Sequence, residues 1–259
     1  MRNNKPPSFA SRIYSVWYRH MRVYTRHLFS NGFPPFMEPL ILLAGIGLGL
    51  GKYIERMDGV PYIQFLVPGL IVAPAMFTAT FECTFGTFIR LEFDKAYDGM
   101  LGSPLTVNNL IIGEIFWAGT KGMFFSFAVL SVVLVFGVVP PHSYIFTPFI
   151  GFFTGAMFAT IALTFTSFIK TINHINFYIT GFISPMFFFS GVIFPLNTLP
   201  SSIRLFAELL PLVHSVRIVR AMATSHFEIH LLGDVLYIVL SITIFGFFAI
   251  QRFKKRMID

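Results

Sequence analysis

Six long apolar stretches, joined by loops whose lysines and arginines are sorted by side, constrain this chain more than any motif does. They lie at about residues 33–50, 62–88, 110–139 and 144–169, then from the polar link 170–176 to about 194, and at about 231–250. A near-continuous apolar run of about 20 residues with few charges is the length a helix needs to cross a bilayer. The polar/apolar alternation of a membrane β-barrel is not seen. The composition agrees: 55% of the residues are hydrophobic, 34 are Phe and only 12% are charged, with a mean hydropathy of +0.72. A soluble domain carries about twice that charged fraction. The expected fold is an all-α polytopic membrane protein with six transmembrane helices.

The net charge of +7 is read as positive-inside bias and attraction to anionic membrane lipids, not as nucleic-acid binding. With six spans, one side holds Arg2, Lys5, Arg12, Arg19, Arg22, Arg26, Arg90, Lys95, Lys170, Arg252, Lys254, Lys255 and Arg256. The other side holds only Lys52, Arg56, Arg204, Arg217 and Arg220. Both termini are therefore expected in the cytoplasm of a bacterial inner membrane. The first 30 residues lack the apolar core of a cleavable signal.

Three regions are expected. Residues 1–31 form a cytoplasmic segment in which Phe9, Ile13, Val16, Trp17, Met21, Tyr24 and Leu28 fall on one helical face and Arg12, Arg19, Arg22 and Arg26 on the other. That separation describes an interfacial helix, apolar face in lipid. Residues 32–250 form the transmembrane domain, with a cytoplasmic loop at about 89–105 and an external segment at about 195–228. Pro195, Pro200 and Pro211 divide that external segment into short helices. Residues 251–259 are a basic cytoplasmic tail. The pairs Gly45/Gly49, Gly47/Gly51 and Gly151/Gly155 have the small-xxx-small spacing that lets helices approach closely.

Catalytic signatures are missing. The glycine run before Lys52 is no phosphate loop, because Ile46 and Tyr53 stand where that pattern needs Gly and Ser or Thr. The seven histidines (His20, His27, His142, His174, His214, His226 and His230) form no zinc motif. The single Cys83 excludes an intrachain disulfide and a cysteine-cluster metal site. The chain is expected to catalyse nothing and to bind no cofactor or metal. The leads are the intramembrane charges Glu82, Glu114 and Lys121, since a charge in lipid costs several kcal/mol unless paired or hydrated. Their depths predict that the second and third spans pack together through a Glu82/Lys121 pair, structural or lining a path.

Tyr62-Ile-Gln-Phe-Leu-Val-Pro-Gly-Leu-Ile71 resembles the second-span signature of ABC-2 type exporter permeases. Phe81-Glu-Cys-Thr-Phe-Gly86 and Asp94-Lys-Ala-Tyr-Asp-Gly-Met-Leu-Gly-Ser-Pro-Leu105 resemble more closely its NodJ-like branch, the lipo-oligosaccharide and polysaccharide export permeases. Gly113 to Lys121, Ser190 to Leu196 and Leu210 to Arg220 extend the likeness over essentially the whole chain. The resemblance implies a half-transporter that forms a dimer, a homodimer by expectation, on two copies of a separate ATP-binding subunit, which would hold the ATP and Mg. It implies export of an amphipathic lipid-linked saccharide. It also implies a loop docking on the ATPase, here Arg90, Glu92, Phe93, Asp94, Lys95 and Tyr97. Short re-entrant helices would close an outer gate, here with Pro195, Pro200, Pro211, Arg217 and Arg220. Export of a drug or another hydrophobic small molecule is the alternative cargo. A non-transport membrane enzyme or scaffold is more remote.

Overall fold

The computed structural model describes residues 7–45, 49, 53–224 and 229–258. The Gly47/Gly51 pair, Lys52, Arg2 and Lys5 lie outside the described residues. Helix α1 (Phe9–Arg26) starts at Ser8, whose hydroxyl accepts the backbone N–H of Ser11 at 3.3 Å, a standard N-cap. Helices α2 (Leu28–Gly32) and α3 (Pro34–Ala44) follow, α3 opening on prolines where no helix N–H is lost. Strands β1 (Arg56–Met57) and β2 (Val60–Pro61) form a two-residue hairpin. Its turn residues, Asp58 (φ 53°) and Gly59 (φ 81°), both have positive φ, as tight hairpin turns require.

Helix α4 (Tyr62–Phe81) runs on through two π turns, Glu82–Gly86 and Ile89–Phe93, and breaks at Lys95, which has a left-handed backbone. The short α5 (Ala96–Leu101) comes next. A Thr106/Asn109 capping box then launches α6 (Val107–Val135). The remaining helices are α7 (Pro141–Tyr144), α8 (Thr147–Thr166), α9 (Asn173–Tyr178), α10 (Ser184–Phe189), α11 (Ser201–Ala207), α12 (Pro211–Thr224) and α13 (His230–Ile258).

Among the described residues, four segments are long and apolar enough to cross a membrane: Tyr62–Phe93, Val107–Val135, His142–Thr166 and His230–Met257. Six were expected. The first expected stretch is α3, followed past Gly45 by residues mostly outside the described ones. The fifth is α9 and α10 joined by a π turn, Ile179–Ile183. It begins before residue 176 and stops at Phe189, because Ser190 leaves the helix and Gly191 turns at φ 75°, a backbone angle natural to glycine. The basic tail is also different. Arg252 to Arg256 continue α13 as its last turns, where cations suit the negative end of the helix dipole.

The core is the layer where α4, α6 and α8 meet, with α1, α12 and α13 packed around it. Small residues set the α6–α8 distance. A Cβ on Gly151 would lie 2.1 Å from Ser126 Oγ, and one on Gly155 would lie 2.9 Å from the Ala118 carbonyl oxygen. Hydroxyls bind carbonyls across the helices: Ser126 Oγ donates to Ile71 O at 2.7 Å, and Thr166 Oγ1 to Cys83 O at 2.9 Å. By contrast, among the described residues a Cβ on Gly45 or Gly49 meets nothing within 4 Å, so no described helix packs closely on that pair.

Part of the apolar stripe of α1 is covered by protein. Val16 is fully buried, and Trp17 Nε1 donates to Thr120 Oγ1 of α6 at 3.0 Å. A Cβ on Gly113 of α6 would lie 2.6 Å from Val16. The centre of the apolar stripe is seated on α6, and only flanking residues such as Phe9, Met21 and Leu28 are exposed. Gly151→Ala is expected to lower the thermal unfolding midpoint of the purified protein by overpacking, at about 1–3 kcal/mol. Gly45→Ala should leave the midpoint unchanged, and equal losses for the two would contradict this account of the α6–α8 contact.

Candidate functional site

Four charged side chains from two long helices meet near the end of the bundle that carries α5. Glu82, on the first π turn of the α4 helix, accepts from two cations. Lys121 Nζ of α6 lies 2.8 Å from its Oε2, and Arg90 Nη1 lies 2.7 Å from its Oε1. Arg90 Nη2 lies 2.8 Å from Glu114 Oε2 of α6. Tyr97 of α5 donates its hydroxyl to Glu114 Oε1 at 2.6 Å, and His20 of α1 brings Nε2 within 3.0 Å of the same oxygen. Glu114, Tyr97 and His20 are all buried.

Geometry explains the meeting. In an α-helix eight residues overshoot two turns by about 80°, which would leave Glu82 and Arg90 on different faces. The two wider π turns absorb that overshoot. The long Arg90 side chain then lies back along its own helix, its Nη2 also donating to the Glu82 carbonyl at 3.2 Å. Tyr97 sits outside the long helices. Burial, and next the Glu114 carboxylate beside it, push its phenol far above the usual range, so Tyr97 keeps its proton and acts as a donor. Lys121 Nζ also lies 5.3 Å from the Tyr24 ring centroid, a favourable cation–π distance.

His20, Glu82 and Glu114 place three potential ligand atoms within 4.8 Å of one another. This donor set does not suit a metal ion, because both carboxylates already carry cations. A divalent ion would have to displace Arg90 or Lys121 and then sit beside them. The cluster is a charge-balanced lock. An unpaired charge at this depth would be costly.

The residues expected in the docking loop therefore divide. Arg90 and Tyr97 point into the lock and present no docking surface. Arg90 is 14% exposed and Tyr97 is fully buried, because the helix runs on to Phe93 where a loop was expected. Glu92 accepts from Arg256 Nη2 of α13 at 2.7 Å. Phe93, Asp94 and Lys95 stand in the open, Phe93 at 67% exposure.

At the opposite end, Pro195 precedes a single 3-10 turn, Pro200 precedes α11 and Pro211 opens α12. Arg217 bonds Glu208, and its Nη1 lies 3.0 Å from Asp234 Oδ1 of α13. His214 Nδ1 lies 2.6 Å from the same Asp234 oxygen, and its ring stacks on Tyr237 at 3.8 Å. Arg220 donates to Gly191 O at 2.9 Å and lies over the Phe65 ring. Asp234 and His214 were not singled out from the sequence. Asp234 opens an apolar run and looks like a solvated helix start, and only the fold brings it to α12. His20 had a usable signal, since it falls at i+4 from Val16 and i−4 from Tyr24 within the packed stripe of α1.

A cavity of about 420 Å³ opens beside the lock. Pro35 and Glu38 of α3, Phe77 of α4, Phe125 of α6 and Phe187 of α10 line it, with Lys121 in its wall.

Arg90→Met would leave two buried carboxylates without their shared cation, with an expected loss of about 3–5 kcal/mol. Adding Glu114→Gln should return part of that loss. Thermal unfolding in detergent checks both, and a double variant less stable than the single one would refute the shared-cation arrangement.

Comparison with known proteins follows the same lines. Residues 11–223 match the family described as ABC-2 type transporter. Nodulation protein J of Sinorhizobium fredii is 32% identical over 206 residues, which cover 80% of this chain and 79% of that protein. Nodulation protein J of Bradyrhizobium diazoefficiens is 30% identical over 257 residues, covering 97% of this chain and 96% of that one. The inner membrane transport permease YadH of Escherichia coli is 25% identical over 202 residues, 78% of each chain.

Proposed function

This chain belongs to the ABC-2 type transporter family, and from that membership we propose that it is the permease subunit of an exporter for an amphipathic lipid-linked saccharide. It works in a bacterial inner membrane with both termini cytoplasmic, crosses that membrane six times, and pairs with a second copy of itself. Two copies of a separate ATP-binding subunit bind ATP and Mg and perform the hydrolysis, and the permease contributes path and gates. The likeness to the NodJ-like branch over nearly the full chain carries the cargo reading. The cavity supports it, since aromatic rings and prolines supply apolar walls while Lys121 and Glu38 supply charge. Such walls accept acyl chains and sugar faces alike.

In this reading Phe93, Asp94 and Lys95 dock on the ATP-binding subunit. Movement imposed there passes along two rigid links. One is the Glu92–Arg256 pair to α13. The other is Tyr97 and Arg90 to Glu114 on α6. The outer gate is the α11–α12 hairpin, a re-entrant pair held to α13 through Asp234 and to the turn at Gly191 through Arg220. Coupling through fixed ion pairs needs elements with two discrete arrangements, and the buried charges supply the rigidity between them.

Export of a hydrophobic small molecule is the second reading, favoured by the mostly apolar lining of the same cavity. The deciding experiment is isolation of the tagged chain from mild detergent with its ATP-binding partner, followed by stimulation of ATP hydrolysis with candidate glycolipids and drugs. Glycolipid stimulation supports the saccharide reading, and stimulation by drugs alone supports the second. Replacing Glu92 and Asp94 with alanine should leave the complex in the membrane but weaken transport-linked hydrolysis by about 5- to 150-fold, the range of ordinary coupling energies. Unchanged stimulation would remove the docking assignment.

A further inference from the structure

A second pocket lies where the C-terminal end of α8 meets the last turns of α13. It holds about 270 Å³ and is lined by Ser167, Phe168, Lys170, Arg252, Lys255 and Arg256, among others. We propose that it binds the phosphate headgroup of an anionic phospholipid of the cytoplasmic leaflet.

Four cations converge on one small space, although like charges repel unless something between them is negative. Arg256 is accounted for. It donates to Thr166 O at 2.7 Å, capping α8, and to Glu92. Lys170 and Lys255 are exposed at the rim, and Arg252 is half-buried between them. Among the described residues no carboxylate pairs with Lys170, Arg252 or Lys255. Arg252 lies with its guanidinium carbon 4.1 Å from the Phe168 ring centroid, and its Nε is buried without a partner. A ring face fixes the guanidinium plane but leaves its N–H donors free for an anion.

The surroundings select a lipid over a free anion. Phe168 is exposed, and one to two turns back along α13 so are Ile244, Phe247 and Phe248. The α13 span is the least buried of the four long ones, 22% inside the protein, so its outer face meets acyl chains. The pocket therefore has a cationic floor and an apolar side wall at the membrane surface, the arrangement by which basic pockets hold anionic headgroups. Arg256 belongs to both this pocket and the Glu92 pair, so the occupant would bear on the segment proposed to dock the ATP-binding subunit. The inference rests on the proposed orientation and is independent of the cargo.

Native mass spectrometry of the purified chain, offered phosphatidylglycerol or phosphatidylcholine in detergent, tests it without any transport readout. The wild type should retain phosphatidylglycerol over phosphatidylcholine. Arg252→Gln with Lys255→Gln should reduce that retention by about 30-fold, at about 1 kcal/mol for each charge removed. Arg22→Gln with Arg26→Gln, which removes equal charge from α1, should not. Arg252→Lys, which keeps the charge but loses the stacked guanidinium, should retain more lipid than the double variant and less than the wild type, and thermal unfolding identifies any variant that folds poorly. Equal retention by the two double variants overturns the site in favour of a diffuse basic surface. Displacement of the lipid by millimolar inorganic phosphate overturns the lipid assignment in favour of a free anion. Normal lipid retention with loss of the ATP-binding partner in the Arg252/Lys255 variant overturns it in favour of a protein contact.

Discussion

Two carboxylates and two cations, largely enclosed where the α4 and α6 helices run side by side, hold neighbouring elements of this bundle in one arrangement. Glu82 takes Lys121 from α6 and Arg90 from its own helix, and Arg90 reaches on to Glu114. Tyr97 then ties in α5 by a hydrogen bond, and His20 of α1 sets its ring against the same Glu114 oxygen. Each group would be expensive alone in a medium of low polarity, and each is tolerable because another of opposite sign lies within 3 Å. The network cannot be loosened one residue at a time. This makes it suited to carrying a displacement from α5 to α6 rather than absorbing it.

The rest of the packing serves the same end by different means. Between α6 and α8 the helices touch through glycine and serine, because lipid chains give helices no hydrophobic reason to associate and close backbone contact must supply the attraction. At the far end of the bundle another buried carboxylate, Asp234, collects His214 and Arg217 and fastens α12 to α13. Both ends of the molecule are thus held by carboxylates shared among several donors. The middle is held by small residues and hydroxyl-to-carbonyl bonds.

Much of this was legible in the amino-acid order. Four of the six apolar stretches appear as α4, α6, α8 and α13, since a run of that length has one low-energy solution in a bilayer. Glu82 and Lys121 meet as their depths implied, because rise per residue is nearly constant along a helix. Other features were not legible. Arg90 reads as a loop cation, because nothing in a local window reveals two π turns and a helix extended to Phe93. The α1 stripe reads as lipid-facing, because an apolar face has the same spacing whether it meets lipid or a groove on α6. Gly45/Gly49 and Gly151/Gly155 have the same spacing, yet among the described residues only the second pair has a neighbouring helix against it.

What the order of residues determined by itself is an all-helical membrane protein, with the approximate limits of its longest helices and the kinship of the chain. These depend on hydropathy and on short contiguous motifs, properties that survive without knowing any partner. The tertiary structure alone decided which charges share one site, which apolar face is covered, and that Asp234, His20 and Arg252 matter at all. Those outcomes depend on residues far apart in the chain arriving at the same depth and the same angle, and a single extra residue in a helical turn is enough to change the angle.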